Sequence, residues 1–166
     1  MLYFDILLEF YKHKVRYLIV GGLSVNLYGI PRVTQDIDVI ISTEKKNVEK
    51  IIRILSRLDY ILKQPVDPII MADSTEIQRL HREKNLIDLS FYQKNNLHRI
   101  IDIVLVHNVN FKEAFQNKVI KKAKDIEIYL APIDDIIRMK KLSGRAQDIA
   151  DIEMLEKLKK FNRDGN

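Results

Sequence analysis

Asp36 and Asp38 flank a single isoleucine in the segment GIPRVTQDIDVII, residues 29–41. In an extended chain residues two apart face the same way, with Cα atoms roughly 6–7 Å apart. The two carboxylates therefore project together and repel, which raises the pKa of one of them unless a cation is present. Divalent magnesium suits such a pair, because it takes oxygen ligands and keeps positions for water and for substrate phosphates. A second reading stays open at this point: Asp36 caps a turn while Asp38 is solvated on an edge strand.

The residues upstream bear on that choice. Gly21-Gly22 closes the β-rich run VRYLIV (15–20) and opens a short helical stretch. Glycine there permits close backbone approach, and the first turn of the helix presents free N–H groups to an anion. Ser24 adds a hydroxyl in that turn. Arg32 and Thr34 add a guanidinium and a hydroxyl just ahead of Asp36. Alone, Gly-Gly is a tight turn and Arg32 and Thr34 order a loop. Together with Asp-x-Asp they supply a phosphate cradle and a metal site on adjacent strands.

A second cluster lies near the end of the chain, in APIDDIIRMKKLSGRAQDIADIEML (131–155). Ile133, Ile136 and Ile137 form an apolar stripe, and Lys140 falls on the same stripe. A lysine there either snorkels to solvent or reaches an anion across the interface, a nucleotide phosphate or the site carboxylates. Arg145, Asp148 and Asp151 are three apart and share one helix face. They are either surface ion pairs worth a few tenths of a kcal/mol or an inward brace that holds this helix against the loop carrying Arg32.

The elements that must position these residues follow from periodicity. Tyr3, Ile6, Leu7 and Phe10 predict a first helix over 2–13. Strands are predicted at 15–20 and 36–42, with a helix over LSVNLYG (23–29) between them, stopped by Gly29 and Pro31. Ser42 or Thr43 caps the next helix, whose stripe is Val48, Ile51, Ile52 and Leu55. A loop at QPVDP and a helix over 72–84 follow. Strands at 86–92 and 99–106 are joined through QKNNLH, and a short helix covers 110–115. VIKKA and IEIYLA form a hairpin turning at Lys124-Asp125, and helices follow Pro132 and Gly144. The tail NRDGN reads as frayed. This order is not a strict βαβα alternation. It predicts an α+β fold, a mixed sheet with helices packed mainly on one face.

The segment VGGLSVNLYGIPRVTQDIDVII resembles the signature of the polymerase-beta-like nucleotidyltransferases: a strand, Gly-Gly or Gly-Ser, a short helix, then Asp-hydrophobic-Asp on the next strand. Its Gly-x-x-Arg-x-Thr-x-Asp form is similar to the small prokaryotic branch related to abortive-infection and toxin nucleotidyltransferases. The 131–155 segment resembles the helical signature of the same branch. The resemblance implies one nucleotidyltransferase domain over residues 1–166, with 132–160 as C-terminal helices closing the site. It implies that Asp36, Asp38 and a third acid hold magnesium, two ions in the two-metal form, with manganese as a substitute. Asp102 in IIDIVL is the preferred third acid because it lies inside a β-branched run; Asp88 in LIDLSF is the alternative, and a solvent-facing edge charge is the bland reading of Asp102. The implied nucleotide contacts are Gly21, Gly22, Ser24, Arg32, Thr34 and Lys140, with Arg145, Asp148 and Asp151 supporting. The implied reaction moves a nucleoside monophosphate from a triphosphate to a hydroxyl on a small molecule, a protein or an RNA end. A toxin role would bring an antitoxin partner. The rival reading is a nucleotide- or RNA-binding regulatory module, for which the retained acids are unneeded.

Composition sets the outer bounds. A chain of 166 residues buries roughly 70% of its unfolded surface, so no covalent staple is needed. It has no cysteine, which excludes disulfides, thiolate metal sites and a cysteine nucleophile, and which suits a reducing cytoplasm. No apolar run is long enough to span a membrane, and MLYFDILLEFYKHK reads as an amphipathic helix rather than a leader. The net charge of +5 and pI near 9.3 favour polyanionic partners. Lys121, Lys122 and Lys124 read as a solvated face or an RNA guide. His13, His81, His98 and His107 share no metal-ligand spacing and read as surface or loop residues.

Overall fold

The computed structural model describes residues 3–164. Its centre is a seven-stranded mixed sheet: β1 (Tyr17–Val20), β2 (Ile37–Ile41), β3 (Tyr60–Leu62), β4 (Asp88–Gln93), β5 (Asn96–Val104), β6 (Val119–Ala123) and β7 (Ile126–Leu130), in the spatial order β3-β4-β5-β2-β1-β7-β6. β2 runs parallel to β5 and β1 parallel to β7, while the other neighbours are antiparallel. The helices are α1 (Phe4–Lys12), α2 (Gly21–Leu27), α3 (Lys45–Arg57), α4 (Ser74–Lys84), α5 (Phe111–Gln116), α6 (Ile133–Ser143) and α7 (Ala146–Asp164), with a 3₁₀ turn at Pro68–Ala72. Among the described residues no helix is long and apolar enough to cross a membrane.

Strand alternation divides the core in two. Tyr17, Ile19, Ile37, Val39 and Ile101 face one side, where α1 supplies Ile6, Leu7 and Phe10 and α3 supplies Val48, Ile51 and Leu55. Leu18, Val20 and Ile40 face the other, against Ile136 and Ile137 of α6 and Leu155 of α7. Each such side chain contributes about 1.5–3 kcal/mol relative to exposure. On that second side β4 and β5 carry Asp88, Ser90, Asp102 and Val104 instead of a buried apolar row. The sheet is therefore open there.

Several local expectations shift. Residue 2 lies outside the described residues, and the first helix ends at Lys12. α2 begins at Gly21, so the Gly-Gly pair forms its first turn, and Asp36 sits one residue before β2. Neither Ser42 nor Thr43 caps α3. Glu44 is its N-cap without a side-chain bond, while buried Asn47 donates to the carbonyls of Ser42 and Arg16 and clamps β1 to β2. β3 is an unforeseen strand. The polar stretch QKNNLH is mostly strand, with β4 running to Gln93 and β5 starting at Asn96. The tail is not frayed where it is described: α7 continues through Asp164, and residues 165 and 166 lie outside the described residues. The hairpin does turn at Lys124, in the left-handed region at φ 54°.

Candidate active site

One transverse row of the sheet assembles the acids. Val20 of β1 is the register partner of Asp38, Asp38 is the partner of Asp102 on parallel β5, and Asp102 is the partner of Ser90 on β4. Partners on neighbouring strands share a face at about 4.8 Å spacing. Asp36 joins this face by alternation. Asp88 stands one strand further out, opposite Val104. The row puts Asp102, not Asp88, beside Asp38.

The electrostatics follow the row. Burial pushes the Asp38 carboxyl up to about 6, and the charges of Asp102 and Asp36 push the same way. The Gly22 N–H and Lys140 oppose that rise. Burial also raises Asp36. It raises Asp102 as well, where the Ser90 hydroxyl opposes it and the charges of Asp88 and Asp36 add to it. Asp102 Oδ1 is buried without a hydrogen-bond partner. Among the described residues no three acidic or histidine side chains are drawn together tightly enough to hold an ion as placed. Their backbone positions are adjacent nonetheless, and an all-oxygen set of mutually repelling carboxylates with an orphaned buried oxygen fits a hard divalent cation.

Gly21-Gly22 is needed first for the protein's own side chains. A Cβ on Gly21 would fall 1.9 Å from Asp38 Oδ2, and one on Gly22 would fall 2.7 Å from Thr34 Oγ1 and 2.9 Å from Arg32 Cζ. Gly21 also has φ +62°. Gly21→Ala is expected to lower stability by about 1–2 kcal/mol from the left-handed backbone alone, and by more because Asp38 must move; urea denaturation measures it.

The C-terminal cluster is an inward network. Lys140 is 5% exposed, and its ammonium donates to Asp148 Oδ1 at 3.1 Å and Asp151 Oδ2 at 2.7 Å. Asp151 Oδ2 also accepts from Arg32 Nη1 at 2.6 Å, and its Oδ1 accepts from Gln147. Arg145 Nε donates to Asp148 Oδ2, but its side chain is 78% exposed. Burial pushes Asp148 up, while bonds from Ser143, Lys140 and Arg145 outweigh it and hold the carboxyl below its ordinary value. The contact that ties α7 to the Arg32 loop is thus made by Asp151, not by the Arg145–Asp148 pair. Lys140 does not snorkel; it is held by two carboxylates of the next helix.

A cavity of about 710 Å³ opens over this face. It is lined by Gly21, Gly22, Arg32, Thr34, Asp36, Asp38, Asp88, Asp102, Lys140, Arg145 and Asp148. Ser24 does not reach it: the side chain is fully buried and its hydroxyl donates to the Gly21 carbonyl. Asp151 acts from behind the wall. Sequence reasoning missed Asn26, whose Oδ1 accepts from the Arg32 N–H and fixes the loop, and Ser90, two residues after Asp88 on the same strand face. It also set aside His81 and His107, which line the cavity rather than the outer surface. Burial lowers His107 below the ordinary imidazole value.

Comparison with known proteins agrees with this geometry. A lincosamide antibiotic adenylyltransferase, LnuA, in its lincomycin-bound structure, superposes with TM-score 0.58 at 19% identity, covering 95% of this chain and 96% of that one. ANT(2'')-Ia in complex with adenylyl-2''-tobramycin superposes with TM-score 0.57 at 14% identity, covering 98% and 95%. At these identities the likeness is one of fold. No curated protein sequence matches. Residues 5–163 match the family described as nucleotidyltransferase of unknown function, DUF6036. With that match over nearly the whole chain, on a mixed sheet that carries the acids in one row, the chain belongs to the DUF6036 family of nucleotidyltransferases.

Proposed function

We propose that the whole chain is one magnesium-dependent nucleotidyltransferase unit, in which α6 and α7 close the site. It transfers a nucleoside monophosphate from a triphosphate to a hydroxyl. The observation that carries this reading is the Asp38–Asp102 register pair, with Asp36 on the same face and Asp102 Oδ1 unpartnered. Asp36, Asp38 and Asp102 would hold magnesium, which when bound supplies charge neutralisation and Lewis-acid activation. Manganese offers the same oxygen-ligand chemistry.

The chain's own groups do the rest. Arg32 and Thr34 flank the Gly22 backbone and offer a guanidinium and a hydroxyl to phosphate oxygens. Lys140 puts a positive charge behind Asp38 and lowers its pKa, keeping more of it ionised. Asp102, raised by burial, would accept the proton of an acceptor hydroxyl. A retained acid set of this kind argues for turnover over a purely binding module.

The acceptor decides the biology. A small molecule would make this a detoxifying or metabolic enzyme; a protein or an RNA end would suit a toxin restrained by an antitoxin. The LnuA and ANT(2'')-Ia structures hold lincomycin and adenylyl-2''-tobramycin, so small hydroxylated acceptors are compatible with the fold.

The test is transfer of label from the four α-³²P nucleoside triphosphates to lysate, total RNA and hydroxylated small molecules. Label is expected with magnesium or manganese and not with EDTA. Equal labelling by Asp36→Ala would overturn the assignment.

A further inference from the structure

We infer that the acceptor is a small amphipathic alcohol carrying a cationic amine, and that Asp88 is the residue that selects it. This rests on the transferase reading above.

The acids lining the cavity outnumber its cations, and the nearby Lys63 acts on Asp102. Each of the cavity's arginines and lysines is already matched: Arg32 by Asp151, Lys140 by Asp148 and Asp151, Arg145 by Asp148. Among the described residues Asp36, Asp38, Asp88 and Asp102 take part in no ion pair. Magnesium bound to a triphosphate accounts for Asp36, Asp38 and Asp102. Asp88 remains as a carboxylate in the wall of the same cavity, its one side-chain bond a long 3.4 Å contact from the Ser90 hydroxyl. Asp88 is half-buried, and an ammonium on the acceptor would give it a counter-ion.

Apart from the imidazoles of His81 and His107, the wall around Asp88 is apolar. Ile87 precedes it, Val104 is its register partner, and Val106, Met139 and Leu142 line the same space. Ile87 is 45% and Leu142 63% exposed, so two large apolar side chains face solvent at a cavity that already holds the acids. An aliphatic or ring body on the acceptor would cover them.

Sheet geometry adds a size rule. Asp88 is one strand across and two residues along from Asp102, which places their Cα atoms roughly 8 Å apart. The acceptor's reacting hydroxyl and its amine should therefore be separated by about that distance or slightly less. A nucleic-acid acceptor fits poorly. Its phosphates would meet Asp88, and the lysines of β6 that could attract them stand four strand spacings from β5, roughly 19 Å away.

The experiment measures binding, so it does not depend on turnover. The full-length protein, with magnesium and a non-hydrolysable triphosphate, is titrated with a library of small amino alcohols. Each amine is paired with its N-acetylated, uncharged counterpart, and tRNA serves as the polyanion arm. Amines are expected to bind at least tenfold more tightly than their acetylated forms. Asp88→Asn should remove that difference while leaving nucleotide affinity in place, and Leu142→Lys, on an exposed position, should weaken the amines by a similar factor.

Failure of every amine to bind while the nucleotide complex forms would overturn the inference and leave the transferase reading standing. So would equal affinity for the acetylated forms, preference for tRNA, or an Asp88→Asn variant that keeps its amine affinity. Loss of magnesium-dependent nucleotide binding in the wild type would instead sink the transferase reading.

Discussion

Asp38→Asn is expected to abolish transfer and, in EDTA, to make the protein more stable. The first effect follows from its place in the row. A carboxylate that helps to hold the metal supports several kcal/mol of charge stabilisation in the transition state, so its loss should lower kcat/KM by roughly 10³-fold or more. The second follows from burial. The native Asp38 carboxyl is raised from 3.8 to about 6, chiefly by desolvation and then by Asp102 and Asp36. Between those pH values the native state binds more protons at this group than the unfolded state does. Metal-free stability therefore falls as pH rises through that window. Above about pH 6 the full cost is carried, about 3 kcal/mol at 1.36 kcal/mol per unit; below about pH 4 it vanishes.

Asparagine has no charge to desolvate. The difference between Asp38→Asn and wild type in urea should rise from near zero at pH 4 to its plateau above pH 6. Adding magnesium should close the gap by stabilising the wild type alone. A variant less stable than wild type at pH 8 in EDTA would mean that Asp38 is a structural acid.

The parts of this site that were legible in the sequence are those built from local spacing. Asp36 and Asp38 two apart, Gly-Gly at a strand end and the Ile136–Lys140 stripe each use one short-range period. The preference for Asp102 over Asp88 rests on a buried strand pattern; in the structure Asp102 is the register partner of Asp38, and Asp88 lies one strand further out. What stayed hidden depends on which distant residues meet. The Arg32–Asp151 bond joins positions 119 residues apart, and no local pattern distinguishes Asp151 from Asp148 as its partner. His81 and His107 reach the cavity because α4 and the segment after β5 end beside it, a matter of packing. β3 is three residues long with mixed burial, too short for a period to register. Ser24 had the right position for a phosphate-binding hydroxyl, but its nearest acceptor is the Gly21 carbonyl in its own helical turn, so the side chain turns inward.

The network behind the site yields the other large effect. Lys140→Met is expected to destabilise the protein by about 3–5 kcal/mol, because it removes one partner from a buried set and leaves carboxylates short of charge. Asp151 would keep Arg32 and Gln147, but Asp148 would keep only Arg145, which is largely exposed, and its neighbour Ser143. Arg145→Ala probes the same carboxylate from the solvent side and should cost no more than about 1 kcal/mol. The two variants separate a buried brace from a surface pair.

Replacing the acid together with the base is the decisive comparison. Lys140→Met with Asp148→Asn should recover part of the loss, since the uncompensated charge is gone. The pH profile reports the link to chemistry. Lys140 lowers the Asp38 pKa across the cavity wall, so both Lys140 variants should need a higher pH than wild type for half-maximal magnesium-dependent stabilisation. Recovered stability with an unshifted profile would confine Lys140 to scaffolding. Recovery with the profile still displaced would show that the brace joining α6, α7 and the Arg32 loop also sets the charge of the metal-binding row.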